Sequence, residues 1–170
     1  MLGVRQHQIA RIGAALGANG DILLYGCNVA RDAAGQEILL DLVKRSDVLI
    51  ENFRPGAMEK WGMSYEALAA INPRLIMARV SGFGQTGPYS QRAGYGLIGE
   101  AMGGLRHLSG EPGRVPVRCG ISIGDTLASL HGVIGILMAL HERQRSGQGQ
   151  VIDVALYEAV FNCMESLLPE

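Results

Sequence analysis

One carboxylate in the sequence lies where it could do chemistry on a bound substrate. Asp125 belongs to the segment GISIGDT, residues 120–126, directly before the longest helical pattern in the chain. Aspartate is a preferred N-cap residue, so the simplest interpretation is a cap. The start of a helix also favours an ionised carboxylate, and the neighbouring Gly124 would let a substrate approach closely. A carboxylate in that position can attack a thioester as a nucleophile, and position alone leaves both interpretations open.

A second candidate cluster, Asn52-Phe53-Arg54-Pro55-Gly56, follows a short apolar run that is typical of a strand. Open α/β sheets bind ligands at the carboxyl ends of their parallel strands. The ring of Phe53 could stack on a planar group, and Arg54 or Lys60 could pair with phosphates. The alternative is a turn fixed by its Pro-Gly pair, with cations that face solvent.

A third candidate is the glycine-rich segment SGFGQTGPYSQRAGYG, residues 81–96, which also follows a strand pattern. Gly82, Gly84 and Gly87 match a GxGxxG spacing, but a proline follows where a dinucleotide-binding fold would open a helix. We therefore reject the dinucleotide interpretation. A backbone-rich loop that lies over a substrate is the preferred interpretation, and a plain cluster of turns is the alternative.

Composition argues against several other classes of site. Neither the four histidines nor the three cysteines show metal-ligand spacing. The cysteines are odd in number and widely spaced, which favours small apolar packing residues in a reducing cytosol. The net charge is −1, so nothing points to nucleic acid or a membrane surface as a partner. No apolar segment at the start indicates a secretory signal, and we expect a cytoplasmic protein.

Strands and helices must position these candidates, and the hydrophobic pattern predicts both in alternation. We predict strands at 21–25, 47–50, 75–80 and 151–154, and helices at 5–17, 34–45, 65–71, 97–108, 126–145 and 155–168. Ser64 is the expected N-cap of the third helix, and Gly147 should end the longest one. The alternation predicts an α/β fold with an open, mostly parallel sheet and flanking helices.

The helix predicted at 126–145 is mostly apolar between residues 127 and 140. A stretch of about 14 residues suits a buried core helix better than a membrane span. Its expected core-facing side carries large residues at helical spacing: Leu127, Leu130, Ile134, Leu137 and Leu140 with His141.

Five stretches of the sequence carry a family likeness. They are DVLIENFRPGAMEKWGM, INPRLIMARVSGFGQTGPY, RAGYGLIGEAMGG, GISIGDTLASLHGVIGILMAL and RQRSGQGQVIDVALYEAV. In their order and spacing they resemble the class III CoA-transferases, the family that includes formyl-CoA transferase, carnitine CoA-transferase and α-methylacyl-CoA racemase. The resemblance implies a partial form of that family's Rossmann-like large domain.

By this resemblance, Asp125 corresponds to the catalytic aspartate that attacks an acyl-CoA. A mixed anhydride forms and releases CoA thiolate, a thioester then forms on the aspartate, and an acceptor carboxylate finally takes the CoA. Asn52 and Phe53 match residues that contact CoA, and Lys60 stands where some members place an arginine near the nucleotide. The implied partners are an acyl-CoA and a carboxylic acid, with no permanently bound cofactor, and full-length members are homodimers.

The resemblance also implies roles for the glycine-rich segment. Gly82, Gly84 and Gly87 would lie in a loop beside the site, and Tyr95 would line the site. Tyr95 separates two activities of the family, because racemases carry a histidine there that works as an acid and base. The likeness therefore favours CoA transfer, and the alternatives are an acyl-CoA racemase or isomerase and a non-catalytic fragment.

The first residues differ from the usual beginning of that family. Residues 1–34 weakly resemble a domain of large bacterial surface proteins instead. We therefore predict an atypical segment at 1–34, which arose by fusion or by a frame error, and a partial CoA-transferase domain at 35–170.

Overall fold

The computed structural model describes residues 22–24 and 33–164. In this part of the chain four parallel strands form one sheet, in the order β1 (Ile22–Leu24), β2 (Val48–Glu51), β3 (Ile76–Ser81) and β4 (Val151–Ala155). The register pairs Val48 with Ile76 and Met77 with Val151. The predicted α/β fold with an open parallel sheet is confirmed, whereas the helix predicted at 5–17 lies outside the described residues.

Seven helices accompany the strands within the described residues. They are α1 (Ala33–Val43), α2 (Ala57–Lys60), α3 (Tyr65–Ile71), α4 (Gly96–Met102), α5 (Leu105–Leu108), α6 (Ile123–Ser146) and α7 (Leu156–Phe161). Ser64 caps α3 as predicted, since its hydroxyl accepts a hydrogen bond from the N–H of Ala67 at 3.3 Å. Gly147 ends α6 in the left-handed conformation, also as predicted.

Three elements differ from the sequence-based expectation, one of them being α7, which ends at Phe161 although a helix was predicted at 155–168. The short helix α2 was not predicted, because four residues are too few for a helical period to show. The single helix predicted at 97–108 is two helices, α4 and α5. They are separated at Gly103 and Gly104, and Gly104 has a φ of +91°, which no α-helix continues through.

Neighbouring strand residues face opposite sides of the sheet, and both sides are covered. Leu49 and Met77 pack in one core cluster with residues of α1 and α3. Val48 and Ile76 pack on the other side against α6, where Ile136 is among their neighbours. Burial on both faces explains why most of β2 and the first half of β3 have continuous apolar sequences.

The side of α6 that meets the sheet is not the predicted one. Its buried residues are Gly124, Ala128, Gly132, Ile136, Ala139 and Arg143. From the predicted side, Leu130, Ile134 and Leu137 are each more than half exposed. The prediction is wrong because α6 is apolar on both sides, and its small residues allow the closer approach. A Cβ added to Gly135 would lie 2.6 Å from Cγ2 of Ile152 on β4.

Helix α6 is also long and apolar enough to cross a membrane, judged by length and composition alone. Core helices of other proteins meet the same criterion, so this property is weak support for a membrane span. In this structure α6 packs against β3, β4, α4 and α7, and 28% of its most apolar window is buried. The prediction of a buried core helix is therefore wrong for the outer side of α6, where Leu130, Ile134 and Leu137 are exposed.

The carboxyl ends of three strands lie at one edge of the sheet, because the strands are parallel. There β2 leads into the turn 52–55, β3 leads into the glycine-rich loop, and β4 leads into α7. Open α/β sheets bind ligands at this edge. The edge therefore brings together the segments that carry most of the candidate residues.

Candidate active site

Asp125 occupies the third position of α6, in its first turn. The helix begins at Ile123 and its N-cap is Ser122, so the N-cap interpretation of Asp125 is wrong. The unpaired N–H groups and the dipole of the first turn still favour a negative charge there. The Asp125 carboxylate forms no hydrogen bond or ion pair with any residue that the structure describes, and the residue is exposed. Its oxygens are therefore free to meet a substrate.

The Asp125 carboxylate lies directly against the backbone of α4. A Cβ added to Gly96 would lie 2.8 Å from Oδ2 and 2.9 Å from Oδ1 of Asp125. A Cβ added to Gly124 would lie 3.0 Å from the carbonyl oxygen of Gly96. A Cβ at position 96 would push the Asp125 carboxylate aside, and one at position 124 would press on the Gly96 carbonyl, so glycine at both positions allows the present close approach of α4 and α6.

Asp125 borders two adjoining cavities at the edge of the sheet. The larger, of about 410 Å³, is here called the loop cavity. Its lining consists of Asn52, Phe53, Arg54, Pro55, Val80, Ser81, Gly82, Arg92, Ala93, Gly94, Tyr95, Gly96, Asp125 and Leu156. The smaller, of about 320 Å³, is the helix cavity. Its lining consists of Ile50, Glu51, Asn52, Val80, Asp125, Ser129 and Leu156. A ligand could thus approach Asp125 from either cavity.

The turn that lines the loop cavity rests on a charge network in which Glu51 and Arg79 are buried and Glu59 is partly exposed. Glu51 Oε1 accepts a hydrogen bond from Arg79 Nε at 2.6 Å, and Glu51 Oε2 accepts one from the N–H of Phe53 at 2.6 Å. Arg79 Nη1 also donates to Glu59 Oε1 at 2.7 Å. Charges are tolerated in an interior when they are paired and hydrogen-bonded. The network therefore fixes the backbone that presents the residues of the turn.

The charges of this network follow from burial and pairing. Burial raises the pKa of Glu51 above its ordinary value, against the opposing hydrogen bonds from Arg79 and Phe53. The pKa of Glu59 is lowered, chiefly by its hydrogen bond with Arg79. Burial alone would lower the pKa of Arg79, but its two glutamate partners raise it. Arg79 is therefore a permanent cation, and Glu59 is its more readily ionised partner.

The structure brings five of the sequence-predicted residues to the loop cavity together with Asp125. They are Asn52, Phe53, Arg54, Gly82 and Tyr95. Tyr95 is the N-cap of α4 and is 73% exposed, so its ring is open to a ligand. Phe53 packs edge-on against Trp61, with ring centroids 5.1 Å apart.

Three sequence-predicted residues do not line either cavity. Lys60 is exposed at the end of α2. Gly84 has a positive φ and faces Asp153, whose Oδ2 would lie 3.5 Å from an added Cβ. Gly87 also has a positive φ, with open space around it. The GxGxxG pattern thus marks a loop in which the first glycine alone reaches the loop cavity.

Gly82 has a packing role that its motif does not show. A Cβ added to Gly82 would collide with the backbone of Gly94, and one added to Gly94 would lie 2.5 Å from Cα of Gly82. The two ends of the glycine-rich loop therefore touch each other directly. The loop is also tied to β4, because Asp153 Oδ2 accepts a hydrogen bond from the N–H of Gln85 at 2.8 Å.

Several residues near Asp125 were not found from the sequence. Gly96 and Leu156 lie on short helices with no distinguishing motif, and Ser129 lies one turn after Asp125 on α6. Arg92 sits in a loop among residues of mixed type. What these residues share is their proximity to Asp125 in space, and a single sequence carries no information about that proximity.

Among the described residues, no group of three or more His, Cys, Asp and Glu side chains could hold a metal ion. Cys119 and Cys163 are free and exposed, so the expectation of packing cysteines is wrong for these two. Cys119 is exposed because it lies in the loop before α6, which has no core of its own. Cys27 lies outside the described residues.

Comparison with known proteins finds matches along the whole chain. The sequence model described as CoA-transferase family III matches residues 30–170, and a model described as a domain of unknown function (DUF4347) matches residues 1–58. The succinyl-CoA–D-citramalate CoA-transferase of Chloroflexus aurantiacus is 58% identical over 140 residues, which are 82% of this chain and 35% of that protein.

Further similarities point the same way. The formyl-CoA:oxalate CoA-transferase of Streptomyces avermitilis is 42% identical over 128 residues, which are 75% of this chain and 31% of that protein. A CAIB/BAIF family protein from Brucella suis superposes with a TM-score of 0.77 at 44% identity, covering 81% of this chain and 36% of that one. The chain thus spans about a third of the length of these relatives.

Proposed function

Because the chain belongs to the CoA-transferase family III, we propose that it forms part of an enzyme that moves CoA from an acyl-CoA to a carboxylic acid, with Asp125 as the nucleophile. This proposal rests on the position of the Asp125 carboxylate. It lies unpaired among the described residues, on the first turn of a helix, at a wall shared by two cavities.

The proposed reaction needs no external proton donor and no resident cofactor. An oxygen of Asp125 attacks the thioester carbonyl carbon, the C–S bond breaks, and an anhydride and CoA thiolate result. The thiolate attacks the aspartyl carbonyl, which releases the donor acid and leaves a thioester on Asp125. The acceptor carboxylate attacks this thioester and again frees the thiolate. The thiolate then takes the acceptor acyl group and restores the Asp125 carboxylate.

The surroundings of Asp125 support this role. The first turn of α6 favours the anion that must attack. The Gly96 backbone holds the carboxylate on one side without covering it with a side chain. Asn52, Phe53 and Arg54 lie across the loop cavity on a rigid turn, where we propose that they contact CoA. We place the nucleotide end of CoA toward Lys60, beyond that cavity.

The most direct test is to trap the aspartyl thioester. The chain is incubated with an acyl-CoA and hydroxylamine, and the tryptic peptide 119–143 is sequenced by mass spectrometry. We expect a hydroxamate on Asp125. Asp125→Asn should abolish the adduct, whereas Glu142→Gln, in the same peptide and on the exposed end of α6, should leave it unchanged. A folded chain that binds CoA without forming the adduct contradicts catalysis by this chain and supports a non-catalytic fragment.

Tyr95 bears on the alternative activity. A racemase or isomerase would exchange the α-proton of an acyl-CoA, and a tyrosine takes the place of that branch's histidine here. We therefore expect no deuterium at the α-carbon after incubation in D₂O. Incorporation of deuterium without CoA transfer would favour racemisation instead.

We also propose a cytoplasmic location, a homodimer for a full-length protein, and no permanently bound cofactor. Two relatives from Chloroflexus aurantiacus are named as the alpha and beta subunits of a succinyl-CoA–L-malate CoA-transferase, which is consistent with assembly from several chains. Residues 35–170 would form the CoA-transferase part, and residues 1–34 an atypical segment.

A further inference from the structure

The loop cavity carries more positive than negative charge. Its lining includes two guanidinium groups, Arg54 and Arg92, and one carboxylate, that of Asp125. No ion pair joins either arginine to an acidic side chain within the described part of the chain. A bound ligand with further anionic groups would balance this charge.

Arg92 is held in place by stacking rather than by a salt bridge. The guanidinium carbon of Arg92 lies 4.2 Å from the ring centroid of Tyr89, and the backbone N–H of Arg92 donates to the backbone carbonyl of Tyr89 at 2.8 Å. Tyr89 in turn packs edge-on against Phe83, with centroids 5.6 Å apart, and Phe83 packs against Tyr157 at 5.9 Å. A row of three rings therefore supports the guanidinium group.

The guanidinium N–H donors of Arg92 remain available to a ligand. The guanidinium carbon lies over the Tyr89 ring, and the guanidinium group carries five N–H donors. No described residue accepts a hydrogen bond from these donors. A planar fork of free donors matches a carboxylate in geometry and charge.

The two arginines lie on different segments of the lining. Arg54 belongs to the turn after β2, together with the residues proposed to contact CoA. Arg92 lies four residues before Gly96, and Arg92, Gly96 and Asp125 all line the loop cavity.

We propose that Arg92 selects dicarboxylic over monocarboxylic acids by pairing with the carboxylate that does not react. One carboxylate of the acid then meets the Asp125 thioester, while the other binds the edge of the Arg92 guanidinium. This inference rests on the proposed CoA transfer, and it adds the substrate class and the residue that recognises it.

The test compares two acceptors of equal length, succinate and butyrate, with acetyl-CoA as the donor. Acetyl-CoA carries no second carboxylate on its acyl group, so Arg92 can affect selection only through the acceptor. Formation of the new thioester is followed by chromatography for the wild-type chain and for Arg92→Met. We expect the variant to lower kcat/KM for succinate by about tenfold to hundredfold, the worth of a charge-assisted hydrogen bond, and to change butyrate less than about threefold.

Two further variants make the result specific. Arg114→Met removes an exposed arginine that pairs with Glu111 and lines neither cavity, and it should leave both acceptors unchanged. Arg92→Lys keeps the charge but loses the planar fork, so it should give an intermediate selectivity for succinate. Circular dichroism confirms that each variant is folded.

The outcomes separate this inference from the function on which it rests. If Arg92→Met lowers both acceptors equally, Arg92 contacts CoA, and the inference is overturned. The same holds if neither acceptor changes. If the wild-type chain transfers CoA to no acid, the proposed function fails first. Transfer that survives without any preference for succinate leaves the function standing and removes the role of Arg92.

Discussion

Two glutamates are fully buried beside the segments that border the candidate site, and they are held in different ways. Glu51 accepts two hydrogen bonds of 2.6 Å, one from Arg79 and one from the backbone of Phe53. Glu100, on α4, lies 3.7 Å from Arg106 Nε and 3.6 Å from Arg118 Nε. Neither Glu100 oxygen has a hydrogen-bond partner among the described residues.

The two carboxylates differ in how firmly they hold the segments around them. Hydrogen bonds are directional, so the Glu51–Arg79–Glu59 network sets the geometry of the turn after β2. Charge attraction without hydrogen bonds is less directional, so Glu100 restrains Arg118 loosely. Arg118 lies in the exposed loop before α6, and its Nη2 makes a long contact of 3.5 Å with the hydroxyl of Ser122. One side of the site is therefore rigidly built, and the segment that leads to Asp125 is held by charge.

The largest expected effect is on the hydrogen-bonded side. Glu51→Gln replaces one of two carboxylate oxygens, each of which accepts a hydrogen bond, by an NH₂ group that cannot accept one, and we expect a loss of about 2–3 kcal/mol in the free energy of unfolding. Urea denaturation measures it. The matched control is Glu111→Gln, in an exposed pair with Arg114, which should change stability by less than about 0.5 kcal/mol. A loss below about 1 kcal/mol for Glu51→Gln would show that the network contributes little.

Replacing Glu100 by glutamine should lower the free energy of unfolding by less than the same substitution at Glu51. Glu100→Gln breaks no hydrogen bond, so we expect a change in the free energy of unfolding below about 1 kcal/mol. Amide hydrogen exchange should nevertheless become faster in residues 110–121, because the charge that restrains Arg118 is gone. Unchanged exchange in that loop, or a loss as large as that of Glu51→Gln, would remove the contrast between the two regions.

The smallest expected effect is the pH dependence of Glu59. Its pKa is lowered in the folded chain by Arg79, so it stabilises the fold above its ordinary pKa of 4.5 and loses this contribution as the pH falls through the folded value. Because Glu59 is 38% exposed, solvent screening limits the effect to a few tenths of a kcal/mol, at most about 1. The stability difference between wild type and Glu59→Gln should therefore shrink between pH 7 and pH 3. A constant difference would contradict the lowered pKa.

Burial explains why Glu51 should behave in the opposite sense. Its pKa is raised, so its contribution is present below the ordinary value of 4.5 and is lost as the pH rises through the folded value. As the pH falls from 7 to 3, the stability difference between wild type and Glu51→Gln should therefore change in the opposite direction to the difference between wild type and Glu59→Gln. The two variants measured together separate the partners of Arg79.

The sequence was sufficient for the fold and for the neighbourhood of the site. Strand and helix patterns are local, so the alternation from β1 to β4 and the cap at Ser64 could be predicted. The family likeness then brought Asp125, Asn52 and Tyr95 to one place, and the structure has all three on the loop cavity. Their roles in catalysis and binding stay predictions.

The remaining features depend on packing between distant segments. The buried side of α6 could not be predicted because both of its sides are apolar, and the choice falls to small residues that meet β4. Buried Glu51 and Glu100 look like ordinary surface charges in the sequence. Arg92 is an ordinary loop arginine until the row of rings under it is known.

The contact between Gly96 and Asp125 has a consequence for the direction from which a substrate arrives. Backbone lies on one flank of the carboxylate, so in the proposed reaction an electrophile would come from the flank that opens to the cavities. A residue that has no side chain would then set the direction of the proposed attack. A methyl group at position 96 would occupy the space where the carboxylate now rests and would turn Asp125 toward a different approach, even though every reacting group remained in the chain.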